Sequence, residues 1–169
     1  CIRDRQGFYR HDSTAVGLPM RFGVYRPPQA GIRPIERPVP VLTYLAGLTC
    51  NEETFAIKAG AQQLAAELGL MIVTPDTSPR GTGIDGADAA WDFGTAAGFY
   101  LDAQAEPWAR HWQMERWLLE ELPQVLAANF PVREGPQGLF GHSMGGHGAL
   151  TLALRHPGRF ASVSAFAPI

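Results

Sequence analysis

The five residues Gly141-His142-Ser143-Met144-Gly145 have the types and spacing to build a nucleophile. A serine hydroxyl attacks a carbonyl only when a base takes its proton and hydrogen-bond donors hold the negative charge that develops. Gly-x-Ser-x-Gly suits a sharp turn from strand to helix. The serine takes a strained backbone conformation, and the small residues two before and two after it leave room where strand and helix approach most closely. Gly146 widens that clearance. The turn lifts the Ser143 oxygen out of the sheet, and the new helix directs its N-terminal amides toward it. A chance glycine-rich turn is the plain alternative. The apolar Gly138-Leu139-Phe140 before the motif and the helical pattern over 144–155 after it favour the nucleophile.

Gly47-Leu48-Thr49-Cys50 directly follows an apolar run ending at Ala46. In such sites one donor is the N–H of the residue after the nucleophile, and the other comes from the loop after an earlier strand. Met144 and Leu48 are therefore the candidate oxyanion-hole residues. Cys50, with no histidine or cation beside it in sequence, reads as a small apolar residue rather than a second nucleophile. Trp91-Asp92-Phe93-Gly94 reads either as a wall under a substrate pocket or as loop core. The five histidines show no metal-ligand spacing, since His142 and His147 are separated by a turn and no cysteine or carboxylate completes a set.

These residues need elements to position them. Residues 20–25 alternate in polarity and stop at Pro27-Pro28, as a half-buried strand near a sheet edge would. The 29–38 stretch, with Gly31, Pro34 and Pro38, reads as loop. Residues 39–46 form a strand buried on both faces. Apolar positions Phe55, Ile57, Ala61, Leu64, Ala65 and Leu68 predict one helix over 54–68, ending at Gly69. A short strand at 70–73 comes next. The 77–107 segment has five glycines and the aromatics Trp91, Phe93, Phe99 and Tyr100, which predicts a long ordered loop. A helix over 108–128 should be kinked or broken by Pro123, and a last strand covers 161–166. Strand and helix in alternation imply a parallel sheet covered by helices.

A net charge of −2 with no dense Lys/Arg run gives no footprint for nucleic acid or an acidic membrane, leaving a small molecule as the expected partner. With 46% hydrophobic and 18% charged residues, the 169-residue chain has the composition of one globular domain. Two cysteines, Cys1 and Cys50, are too few for a disulfide framework, which favours a reducing compartment. No apolar run reaches the ~18 residues of a membrane span. The opening residue is Cys1 rather than Met, which leaves room for a removed leader.

The α/β alternation and the glycine-flanked serine together predict an α/β-hydrolase fold, in which an Asp or Glu and then a His follow the nucleophile. After Ser143 the sequence holds no Asp or Glu, and its later histidines, His147 and His156, fall within or at the end of one helix. The expectation is one incomplete domain over 1–169, lacking a few N-terminal residues. A continuation of about a hundred residues would supply acid and base, so the 169 residues alone would be inactive.

Several stretches resemble the S-formylglutathione hydrolase (esterase D) family. They are Tyr44-Leu45-Ala46-Gly47-Leu48-Thr49-Cys50-Asn51, Thr74-Pro75-Asp76-Thr77-Ser78-Pro79-Arg80-Gly81, and Trp91-Asp92-Phe93-Gly94-Thr95-Ala96-Ala97-Gly98-Phe99-Tyr100. Glu120-Glu121-Leu122-Pro123, residues 140–150, residues 162–169 and His11-Asp12-Ser13 also match. The resemblance implies a cytoplasmic, often dimeric serine thioesterase without metal or organic cofactor. It would split S-formylglutathione into glutathione and formate through a formyl-Ser143 intermediate, as a step of formaldehyde detoxification. It further implies Leu48 and Met144 as oxyanion donors, with Cys50, His142 and Trp91 near the active site. A general carboxylesterase or an acyltransferase of the same fold is the alternative, and a non-catalytic hydrolase-fold protein is the third reading.

Overall fold

A computed structural model describes residues 4–32 and 35–169. Cys1 and Pro34 lie outside them. The strands are β1 (Arg5–Asp12), β2 (Pro19–Arg26), β3 (Gly31–Ile32), β4 (Ile35–Glu36), β5 (Val41–Leu45), β6 (Met71–Pro75), β7 (Gln137–His142) and β8 (Phe160–Phe166). Six of them form one sheet in the order β1-β2-β6-β5-β7-β8, antiparallel from β1 to β6 and parallel from β6 to β8. The helices are α1 (Thr54–Lys58), α2 (Gln62–Leu68), α3 (Met114–Arg116), α4 (Leu122–Asn129) and α5 (Met144–Arg155). Parallel neighbours need crossover connections, and helices supply them between β5 and β6, β6 and β7, and β7 and β8.

Alternation along each strand assigns the two faces. Met20, Phe22 and Val24 of β2, Met71 and Val73 of β6, Val41 and Leu45 of β5 and Leu139 of β7 share the main core with Trp117, Leu122, Leu126, Met144 and Leu152. The opposite face carries Tyr25 and Ile72, packed with Ala65, and a ring cluster of Tyr44, Phe55 and Phe140 with centroids 4.1–5.5 Å apart. Helices thus cover both sides of the sheet, as the α/β reading expected. Among the described residues no helix is long and apolar enough to cross a membrane.

The structure corrects four local expectations. The strand predicted over 20–25 is not at the edge, because β1 pairs with β2 along its whole length. Arg-Gln-Gly-Phe-Tyr-Arg-His-Asp has no apolar alternation, since an outer strand facing solvent needs none. Residues 29–38 are not all loop. β3 and β4 pair there, and the Arg26 guanidinium ties them by donating to the Gly31 carbonyl and the Glu36 carboxylate. The helix expected over 54–68 is split between α1 and α2 at Gly60, φ 60°. Ile57, Leu64 and Leu68 stay exposed while Ala65 is buried, so apolar spacing misassigned that surface. Gly69 does close α2, in the left-handed conformation at φ 69°.

Regular α-helix is interrupted just before Pro123, as expected, but the helical path does not end there. The helical path begins at Met114 rather than Trp108, widens into a π turn over Trp117–Glu121 and continues as α4, so Pro123 falls in the first turn of a new α segment, where its missing N–H matters least. The Leu119 carbonyl, four residues earlier, accepts a 2.6 Å bond from the Arg159 guanidinium.

Two of the family-like stretches meet away from Ser143. The Glu121 carboxylate accepts from His11 Nε2 at 3.0 Å, Ser13 Oγ at 2.5 Å, Thr14 N–H at 2.8 Å and Ala15 N–H at 3.1 Å. Burial alone would raise its pKa, but the bonds from Ser13, Thr14, His11 and Ala15 outweigh it and hold the carboxyl at about 2. The turn between β1 and β2 is thereby fastened to the helix under the sheet. Because the folded pKa lies below the unfolded value of about 4.3, the stabilisation is complete above that pH and is lost as pH falls toward 2. Glu121→Gln should lower stability at pH 7 by about 2 kcal/mol. Urea unfolding of both forms should show the difference shrinking below about pH 4.3.

Candidate active site

Register places the candidate residues before any side chain does. In the adjacent parallel strands β5 and β7, Leu45 lies opposite Gly141. Two residues further on, each chain has left the sheet, which brings Gly47 beside Ser143. A Cβ built on Gly47 would stand 3.3 Å from the Ser143 Cβ and 3.7 Å from its Oγ. The two loops thus emerge together at the carboxyl ends of the parallel strands, the usual place for a ligand site in such sheets.

Ser143 has φ 57° and ψ −122°, a conformation an L residue adopts only under restraint. Its N–H donates to the Phe166 carbonyl of β8 at 2.9 Å, and its own carbonyl accepts from the His147 N–H at 3.0 Å. The side chain stands at the N-cap position of α5 yet makes no capping bond, so the hydroxyl is not spent on the helix. Two glycines make the turn feasible. A methyl on Gly145 would overlap the Leu45 carbonyl, and one on Gly141 would overlap the Gly145 carbonyl. Strand, sharp turn and helix have the elbow geometry expected from the sequence, within an α/β-hydrolase fold.

Met144 opens α5 and is fully buried in the core, so its backbone is fixed at the helix N-terminus. Among the described residues, neither its N–H nor that of Leu48 has an acceptor. Two unspent amides therefore lie one residue after Gly47 and Ser143, the pair that meets, and that of Met144 is in the first turn of a helix whose dipole favours negative charge there. His142 is exposed next to Ser143, and Cys50 is a half-buried free thiol at the end of the 47–50 loop. Glu52, directly after that loop, is buried, and burial raises its carboxyl pKa.

The long loop expected over 77–107 is ordered and holds no regular helix or strand up to Pro107. Its aromatics divide. Tyr100 is fully buried, and burial pushes its hydroxyl well above the ordinary range, keeping it a neutral donor to the Ala46 carbonyl at 2.8 Å. Phe99 meets the His147 ring edge-on at 6.0 Å. Trp91 and Phe93 are 67% and 53% exposed, so they are not loop core; Phe93 packs on Trp108, whereas Trp91 makes no hydrogen bond or ring contact among the described residues. Sequence reasoning assigned no role to Tyr100, Asp76, Thr77 or Arg80, although the family-like stretches contain all four.

Three histidines have structural partners: His11 bonds Glu121, His111 Nδ1 lies 2.9 Å from the Val16 carbonyl, and His156 Nε2 lies 2.7 Å from Glu115 Oε1. The His147 Nδ1 is buried and has no partner among the described residues. Ser143 Oγ makes no hydrogen bond to any histidine there. A mostly apolar cavity of about 380 Å³ between α4 and α5, lined by Leu118, Leu126, Leu152 and Phe160, includes neither Ser143 nor the 47–50 loop.

Comparison with known proteins agrees with this geometry. The family described as "Putative esterase" matches residues 13–169. The S-formylglutathione hydrolase of Mus musculus is 51% identical over 169 residues, covering 100% of this chain and 58% of the mouse protein. That of Paracoccus denitrificans (strain Pd 1222) is 53% identical over 164 residues, covering 97% of this chain and 57% of its own length. A solved S-formylglutathione hydrolase from Agrobacterium tumefaciens superposes with a TM-score of 0.93 at 47% identity, covering 100% of this chain and 60% of that one. The chain thus spans under three fifths of the curated relatives it matches.

The elbow's tolerance is testable by adding single methyl groups. Gly145→Ala should destabilise the protein by about 3 kcal/mol or more, because the new atom meets backbone that cannot move aside. Gly158→Ala, in open space at φ 80°, should lose only about 1 kcal/mol. Thermal unfolding of the two variants side by side checks the contrast.

Proposed function

We propose, on the premise that the chain belongs to the esterase family matched over residues 13–169, that it carries the nucleophile of a serine thioesterase that hydrolyses S-formylglutathione to glutathione and formate. The observation that carries this reading is Ser143 at positive φ with an unspent hydroxyl, beside the unpartnered amides of Leu48 and Met144. The choice of substrate draws on the names of the relatives near 50% identity.

The chemistry is acyl transfer in two steps. Ser143 Oγ attacks the formyl carbon as a base removes its proton, and the oxygen that gains charge lies between the N–H groups of Leu48 and Met144. The tetrahedral intermediate collapses, the C–S bond breaks, and the glutathione sulfur leaves with the proton held by the base. Water then attacks the formyl-enzyme by the same route in reverse, releasing formate and restoring the hydroxyl. Fixed amides are worth most here because they need no reorganisation as charge appears.

The base and its acidic partner would be a histidine and an aspartate from outside these 169 residues. What supports this is that Ser143 Oγ bonds no histidine among the described residues, that His156 is already bonded to Glu115, and that the chain spans 58% of the mouse relative. Cys50 and His142 border the reacting centre without a chemical step of their own, and Trp91 belongs to its rim. The reading further includes a cytoplasmic homodimer that uses neither metal nor organic cofactor.

With its triad complete, the protein should react with a fluorophosphonate probe at Ser143. Ser143→Ala should abolish labelling and lower S-formylglutathione turnover at least about a thousandfold. Turnover should also favour S-formylglutathione over simple aryl acetates. A strong preference for the acetates would reject this substrate, and an unlabelled Ser143 would reject the enzymatic reading.

A further inference from the structure

The loop bearing Leu48 has one bond of its own, a long one from the Cys50 N–H to the Gly47 carbonyl at 3.4 Å, which by itself leaves its shape weakly held. Thr49, the next residue, sits at φ 65°, a conformation that β-branched side chains resist. Restraint comes from outside, at three points. Tyr100 donates to the Ala46 carbonyl before the loop, the Thr49 N–H donates to the Ala96 carbonyl at 3.1 Å, and the Cys50 carbonyl after the loop accepts two bonds. Those two come from Thr77 Oγ at 2.6 Å and Arg80 Nη2 at 3.0 Å.

Arg80 is itself anchored. Its Nε donates to Asp76 Oδ2 at 3.0 Å and its Nη2 to Asp76 Oδ1 at 2.6 Å, while Asp76 is 2% exposed and also accepts from the Thr77 N–H at 2.7 Å. Nη2 further approaches Thr77 Oγ at 3.3 Å. A buried carboxylate balances the guanidinium charge, and Nη2 is shared between that carboxylate and the Cys50 carbonyl. The guanidinium thereby holds the backbone at Cys50.

We infer that Arg80 is a positioning residue: by bridging the buried Asp76 to the Cys50 carbonyl it fixes the 47–50 loop, and so the direction of the Leu48 N–H toward the oxyanion. The inference rests on the proposed roles of Ser143 and Leu48. Two features of arginine matter. A planar fork can grip both carboxylate oxygens and still reach a carbonyl, whereas a lysine ammonium is a single point. Without the bridge, Thr49 can relax toward negative φ and turn the Leu48 peptide. That error falls on the transition state, where the oxygen carries charge, and little on ground-state binding.

The test uses the full-length protein with its triad complete, and the variants Arg80→Met, Arg80→Lys and Thr77→Val. Arg80→Met should lower kcat for S-formylglutathione about 10- to 100-fold with KM within about twofold, and slow fluorophosphonate labelling of Ser143 in parallel. Arg80→Lys should recover less than a tenth of the lost rate, and added guanidinium ion at millimolar concentration should restore part of it in Arg80→Met. Thr77→Val, which removes one donor to the same carbonyl, should lower kcat about 3- to 10-fold and decides by the same criteria if Arg80→Met does not fold. Wild-type kcat in the variants overturns the inference, as does a loss confined to KM or to melting temperature. A wild-type protein that neither reacts with the probe nor hydrolyses the thioester overturns the proposed function and this inference together; an active wild type indifferent to Arg80 overturns this one alone.

Discussion

The in-register parallel pairing of β5 with β7 is the constraint on which the rest of the site depends. Because Leu45 faces Gly141, the two chains leave the sheet at the same level and side by side. A one-residue slip would move every side chain to the opposite face and carry Gly47 away from Ser143. Burial on both faces prevents the slip: Leu45 and Leu139 belong to the core beneath α5, while Tyr44 and Phe140 meet Phe55 on the other side. The precision of the site is thus inherited from the packing of apolar side chains on the two faces of the sheet.

Strain concentrates where that pairing ends. Ser143 and Thr49, one on each emerging chain, hold positive φ without being glycine. Each is fixed by hydrogen bonds from a different element: β8 and α5 for Ser143, and the segment around Ala96 for Thr49. Such conformations persist only where the surroundings over-determine them. The glycines do the complementary work. At Gly141 and Gly145 the elbow is so tight that any side chain would meet backbone.

The elbow, the α5 boundaries and the approximate positions of β5, β6 and β8 were legible in sequence, because each couples a strong apolar run to glycine or proline punctuation. The edge strand β1 was not. Its Phe8 and Tyr9 are solvent-exposed and its polar residues follow no alternation, so pairing with β2 rather than burial makes it a strand. The division of α1 from α2 was hidden because Ile57, Leu64 and Leu68 keep helical spacing while facing solvent. At the site, the Gly-x-Ser-x-Gly spacing and a loop after an earlier strand were enough to nominate Ser143, Met144 and Leu48. Asp76, Thr77 and Arg80 could not be given work from sequence. Thr77 and Arg80 act on a backbone carbonyl some thirty residues away, with Asp76 behind Arg80, and no local pattern encodes that contact.

Residues 81–93 have a mechanical character of their own. They run between two anchored posts: Thr77 and Arg80 on one side, and the Ala96 to Tyr100 contacts on the other. Glycines 81, 83 and 86 in that span turn through positive φ with nothing packed where a side chain would go. Around those glycines the arch can therefore change in length or composition, and so alter what the outer surface meets, while Ala87, buried and bonded to the Thr95 N–H, pins its far side.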